Sequence, residues 1–283
     1  MIEILIALGV IVFTPVLGGI LAGVDRKVTA RLQGRVGPPL IQPFYDVIKL
    51  LSKEALLTTP AQAVFAWAYL LFTIAACVMF ALGQDLLLIV FVLGFGGVAF
   101  IAGGFSTKSP YSVVGAQREI AQMIAYEPTL ILTVIGFYLV NKSFTVASIF
   151  AAPQPMLFSL PLAFIALLVI LEIKLRKSPF DLSSSHHAHQ ELIRGITTEY
   201  SGPYLAIIEI THWYEAVFVL AFVALFWATA PVVGILIALA AFFLALIIDN
   251  VSARLYWSWM LKVAWSFGIV LVAANIALLV VKL

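Results

Sequence analysis

The 283-residue chain has a single cysteine, Cys77, set inside an apolar run. One thiol cannot close a disulfide within the chain, nor supply a cysteine-based zinc or iron–sulfur site. Any redox centre therefore belongs to another polypeptide or to a diffusible molecule. Charge is scarce as well: Asp, Glu, Lys and Arg make up 11% of the residues, against roughly 25% in soluble domains. The formal net charge of +2 is small and says little about nucleic acid, which is not expected as a partner. No internal repeat is visible, which speaks against an inverted-repeat transporter. Glycines 19, 23, 94, 96, 97, 103 and 104 lie in apolar runs, where they permit close helix packing rather than forming a phosphate loop.

Apolar residues make up 63% of the chain, too many for one soluble core. Runs long enough to cross a bilayer, about 20 residues each, fall at 2–24, 63–83, 85–105, 121–141, 157–175, 204–227, 231–249 and 262–281. The chain thus reads as an all-α integral membrane protein, a single transmembrane domain over 1–283 with about eight spans. The run at 121–141 is the weakest, because Gln122, Glu127 and Pro128 interrupt it. The opening run MIEILIALGVIVFTPVLGGILAG has no basic residue ahead of it and includes Glu3, which fits a retained span better than a cleaved leader. With this assignment every Lys and Arg except Lys142 and Lys282 falls on one side. The positive-inside rule then places the long loops in the cytoplasm and both termini outside, in a prokaryotic cell membrane.

An ionisable group inside hydrocarbon costs several kcal/mol, about 2.5–3.5 at a helix centre on insertion scales, so each one suggests a function. Glu127 directly precedes Pro128, whose missing N–H leaves a polar notch in the helix. Glu209, His212 and Glu215 recur at i, i+3 and i+6. Glu172 and Asp249 lie near the cytoplasmic ends of their spans. Carboxylates in such a row can hand on a proton as each responds to its neighbour's charge. The plainer reading is interhelical staples, Asp249 with Arg254 and Glu172 with Lys174 or Arg176.

The first long loop contains GRVGPPLIQPFYDVIKLLSKE. After Pro43, the residues Phe44, Val47, Ile48 and Leu51 have the spacing of one helical face, opposite Asp46, Lys49 and Lys53, so an amphipathic helix is expected at the membrane surface. A later loop reads PFDLSSSHHAHQELIRGITTEYSG and holds three of the four histidines, His186, His187 and His189. Imidazoles titrate near neutrality and could relay protons at a junction. A metal site would require further ligands and a fixed second shell. A purely structural loop is the third reading.

These motifs carry a family resemblance. GRVGPPLIQPFYDVIKLLSKE, REIAQMIAYE (Arg118 to Glu127), PFDL (Pro179 to Leu182) and EL..G...EYSG (Glu191 to Gly202) occur in order across the three main loops. Together they resemble the complex I membrane subunit that joins the membrane arm to the hydrophilic arm and lines the quinone pocket. The same family includes the matching subunits of formate hydrogenlyases and of energy-converting (group 4) [NiFe] hydrogenases. In quinone-reactive relatives an acidic run follows PFDL. Here SSSHHAHQEL stands in its place, which argues against quinone binding and is similar to the ferredoxin-linked hydrogenase branch.

The resemblance implies a linking subunit that binds no cofactor itself. Its partners would be the hydrogenase large and small subunits and iron–sulfur subunits, which hold the Ni–Fe centre and [4Fe–4S] clusters. Antiporter-like membrane subunits and lipid would complete the surroundings. It further implies that Arg35, Asp46, Arg118, Glu119, Asp181, Glu191 and Glu199, with the histidines, border the junction, and that Glu127, Glu172, Glu209, His212, Glu215 and Asp249 carry ions. A quinone-reducing complex I subunit and a stand-alone secondary transporter are the alternatives.

Overall fold

Helices account for the architecture of the computed structural model, which describes residues 1–183, 192–253 and 255–282. In chain order they begin with α1 (Ile2–Leu32), the short α2 (Gln42–Leu51), α3 (Pro60–Ala81) and α4 (Leu86–Ser106). Next come α5 (Pro110–Asn141), two short helices, α6 (Val146–Phe150) and α7 (Met156–Ser159), and α8 (Pro161–Lys174). The chain closes with α9 (Gly202–Ala224), α10 (Pro231–Val251), α11 (Trp257–Val263) and α12 (Val270–Lys282). A π-helical turn, Ala264–Ile269, joins α11 to α12 into one continuous rod.

Local sequence explains where these helices start. Proline occupies the first or second position of α2, α3, α5, α8, α9 and α10, where its fixed φ and missing N–H do no harm. Asp85 caps α4 by accepting from the Leu87 and Leu88 amides at 2.9 and 3.1 Å.

Among the described residues, seven helical segments are long and apolar enough to cross a bilayer, one fewer than the sequence suggests. The span expected at 157–175 breaks at Leu160, and only Pro161–Lys174 continues as α8. Its 14 residues extend about 21 Å, short of the ~30 Å hydrocarbon core. Protein covers most of the segment instead: Ala163, Ala166, Leu167 and Ile170 are wholly buried, while Ile165 keeps an exposed face. A helix largely covered by neighbours does not have to match the bilayer.

Other boundaries differ for equally local reasons. α1 continues to Leu32, so Arg26, Lys27 and Arg31 sit on the helix rather than in a loop. The span weakest by sequence is the longest helix: α5 runs unbroken through Pro128 for 32 residues. On α2 the inward face is Pro43, Phe44, Val47 and Leu50, while Ile48 and Leu51 point outward. The apolar stripe predicted through Ile48 and Leu51 is therefore rotated, because the Trp213 ring receives Phe44 edge-on at 5.2 Å.

Close approach anchors α2 and its leading loop to α1. A methyl group at Gly23 would overlap the Leu40 carbonyl. Gly23→Ala should accordingly destabilise the protein by about 1–3 kcal/mol and expose residues 34–42 to protease. Wild-type melting together with unchanged cleavage would mean that the loop can retreat at no cost.

Candidate functional site

Two adjoining cavities open where the basic loops gather. The first, about 400 Å³, lies between α1, α9, α10 and the 174–181 segment, and its wall includes Asp25, Arg176, Asp181, Glu209, His212 and Asp249. The second, about 660 Å³, lies between α2 and the start of α9, with Lys49, Lys53, Arg194 and Tyr200 among its lining. Arg26, Glu209 and Trp213 line both, so Glu209 stands on the partition.

The rim is held by ion pairs. Arg26 and Gln42 both donate to Asp46. Partial burial alone would raise the Asp46 carboxyl, but those two donors and nearby Lys49 hold it below its usual value. Across the first cavity Lys177 bridges Asp25 and Asp249, and the Ser178 amide donates to Asp249 at 2.8 Å. Asp249 is thus stapled to Lys177. The partner suggested by sequence, Arg254, lies outside the described residues.

Behind the cavity sits a buried polyelectrolyte. Glu215, 3% exposed, accepts from Tyr69 Oη at 2.8 Å, Arg176 Nη1 at 3.3 Å and Lys174 Nζ at 3.5 Å. The other arm of Arg176 reaches Glu119 at 3.3 Å. Two cations face two carboxylates, so the group is neutral as a whole. Burial by itself would disfavour the Arg176 charge, but Tyr69, Glu119 and Glu215 outweigh it and keep the guanidinium firmly protonated. Arg176 also adopts a left-handed backbone, φ 52°, an uncommon conformation for a side-chain-bearing residue and one frequent at functional sites. His212 packs edge-on to Tyr69 and Phe100, with ring centroids 6.0 and 5.8 Å away.

From this group the polar row continues into α5. Lys174 Nζ lies 4.3 Å from the Tyr126 ring centroid, and the next residue is Glu127. Its carboxylate packs against Gly94 of α4, 2.6 Å from where a β-carbon would stand. Among the described residues no hydrogen bond or ion pair holds Glu127. Glu172 is buried beside Asp249 and Lys177, with one buried oxygen that no hydrogen bond reaches among the described residues. Its expected partners Lys174 and Arg176 turn to Glu215 instead.

The structure therefore brings Glu209, His212, Glu215, Glu172, Asp249 and Glu127 into one neighbourhood, and Glu119 and Asp181 with them. Arg35, exposed, donates to Gln33 and stands apart. Arg118 is half-buried on α5, and Glu199 offers its backbone carbonyl to Gln62 at 2.9 Å. His186, His187, His189 and Glu191 lie outside the described residues. Among those described, no group of three or more His, Cys, Asp or Glu is arranged to hold a metal. Sequence reasoning misses Tyr69, Lys174 and Arg176 as members of the site. A signal for Tyr69 exists: Gln62, Tyr69 and Thr73, all wholly buried, fall on one face of an otherwise apolar helix.

Comparison with known proteins gives this geometry a family. The curated relatives include a subunit of the NADH-quinone oxidoreductase of Bacillus cytotoxicus and its counterpart from Bacillus mycoides. Each is 33% identical over 219 residues, a match covering 69% of this chain and 65% of the relative. The match thus spans just under two thirds of those relatives' own length. Among solved structures, a chain of the membrane-bound sulfane sulfur reductase, an archaeal respiratory membrane complex, superposes with a TM-score of 0.89. The superposition covers 99% of this chain and 100% of that one at 24% identity, which establishes a common fold. The profile of the NADH dehydrogenase family matches residues 3–280, and the chain belongs to that family.

Proposed function

We propose that this chain is the membrane-embedded linking subunit of a complex I-like respiratory assembly, and more narrowly of a ferredoxin-dependent energy-converting [NiFe] hydrogenase. In that role electron transfer and hydrogen chemistry take place in partner subunits on the side of the basic loops. This chain turns a change of charge at the junction into movement of a proton or sodium ion. The observation that supports the coupling role is the run of polar groups from the cavity wall (Glu209, His212) to the Arg176, Lys174 and Glu215 ion pairs, with Glu127 within the electrostatic reach of Lys174. A carboxylate held between two cations responds to any charge arriving at the cavity by shifting its pairing, and Glu127 receives that shift through Lys174. The hydrogenase assignment rests on the histidine-bearing run after PFDL, and the cytoplasmic placement of the loops rests on the distribution of Lys and Arg.

A second reading, the quinone-reactive subunit, is favoured by the names of the 33%-identical relatives and by the 400 Å³ cavity, large enough for a quinone head. The two readings part on the composition of the intact purified complex. Nickel with abundant iron–sulfur and no bound quinone is the expected result. Stoichiometric quinone without nickel would overturn the hydrogenase assignment and leave the linking role standing.

A further inference from the structure

Pro128 has no N–H, so the carbonyl four residues earlier, on Ile124, loses its regular α-helical donor. Inside a bilayer such an orphan finds no water either. The structure supplies one from another helix: Trp265 Nε1 lies 3.3 Å from the Ile124 oxygen. Trp265 belongs to the π-helical turn Ala264–Ile269, and this is the one segment of that class among the described residues. π-Turns recur where a helix has been re-aimed for a local purpose.

The same turn presses a second point onto α5. A β-carbon at Gly268 would stand 2.6 Å from Thr129 Oγ1, so only glycine lets the rod approach so closely. Thr129 is wholly buried, and its hydroxyl has no hydrogen-bond partner among the described residues. Trp265 and Gly268, three residues apart, thus clasp Ile124 and Thr129, the residues that flank Ala125–Pro128 on α5. Glu127 lies inside the clasped turn and faces the opposite way, toward Gly94 of α4.

We propose that Trp265 is a positioning residue: its indole N–H replaces the hydrogen bond Pro128 removes, and so fixes the α5 turn that aims Glu127 at α4. The proposal rests on the ion-coupling reading for its functional consequence, and on geometry alone for the latch. In the absence of the latch the Ile124 carbonyl opens the turn, and the carboxylate loses its fixed place at the end of the polar row.

The test is a cycle in the intact purified complex, comparing Trp265→Phe, Pro128→Ala and the double variant. Phenylalanine keeps a ring but no N–H, while alanine at 128 restores a donor within α5. In the Pro128 background, Trp265→Phe should speed amide exchange across residues 124–130 about fivefold, as expected for one lost hydrogen bond. In the Pro128→Ala background it should change nothing. Ions moved per electron pair in vesicles should fall severalfold in Trp265→Phe, and the double variant should match Pro128→Ala. Equal exchange effects in both backgrounds would show that ring packing, not the N–H, matters, and would overturn the latch. Faster exchange with undiminished ion movement would overturn the positioning role. If Glu127→Gln itself moves ions normally, the ion-coupling reading falls, while the exchange cycle still decides the latch.

Discussion

Replacing Arg176 with methionine is expected to destabilise the protein by about 3–5 kcal/mol, the cost of breaking a buried ion pair from one side. Arg176 joins Glu119 to Glu215 and also touches Tyr69 Oη at 3.4 Å. Its loss leaves Glu215 with Lys174 and Tyr69, and leaves Glu119 as a buried carboxylate stripped of its pairing cation. Methionine fills similar volume, so the deficit is one of charge rather than of packing. Glu119→Gln in the same chain removes the stranded charge and should recover part of the loss. Arg176→Lys keeps the charge but cannot span both acids with one rigid fork, so it should fall between. Thermal melting of the detergent-purified complex reads all three. If Arg176→Met melts with the wild type, the network does not hold this junction together.

That this cluster is harder to read than the acids around it has a physical reason. Glu127, Glu209 and Glu215 stand out in sequence because a carboxylate in an apolar run is costly. Lys174 and Arg176 straddle the end of such a run, where the positive-inside rule already accounts for them. Arg176 reaches Glu215 from a left-handed backbone, which no spacing announces. α8 misleads for a related reason. Hydropathy measures how apolar a segment is, and cannot tell a helix facing lipid from one packed mostly against protein. On α2 two apolar stripes, Phe44–Val47 and Tyr45–Ile48, compete in ten residues. The choice is made by Trp213, 166 positions beyond Val47 along the chain.

The acids divide into two kinds, and the division decides what each substitution should do. Glu215, Glu119 and Asp249 are held by cations, so neutralising any of them disturbs stability and function together. Glu127 is different: it is half-buried, near Lys174 in effect, and unheld by any hydrogen bond or ion pair among the described residues. Glutamine has nearly its shape and can rest against Gly94 in the same way. Glu127→Gln should therefore assemble with a stability change below about 1 kcal/mol. What it removes is the site that can gain and lose a proton at the inner end of the row. Ions moved per electron pair should drop roughly 100-fold, the order of effect for losing a proton-transferring side chain. Vesicles holding the purified complex, read with a pH dye and a potential dye, give the measurement. Glu127→Asp, shorter but still titratable, should retain a measurable fraction. Undiminished pumping in Glu127→Gln would remove Glu127 from the path, and with it the last carboxylate through which the buried network could pass its charge onward.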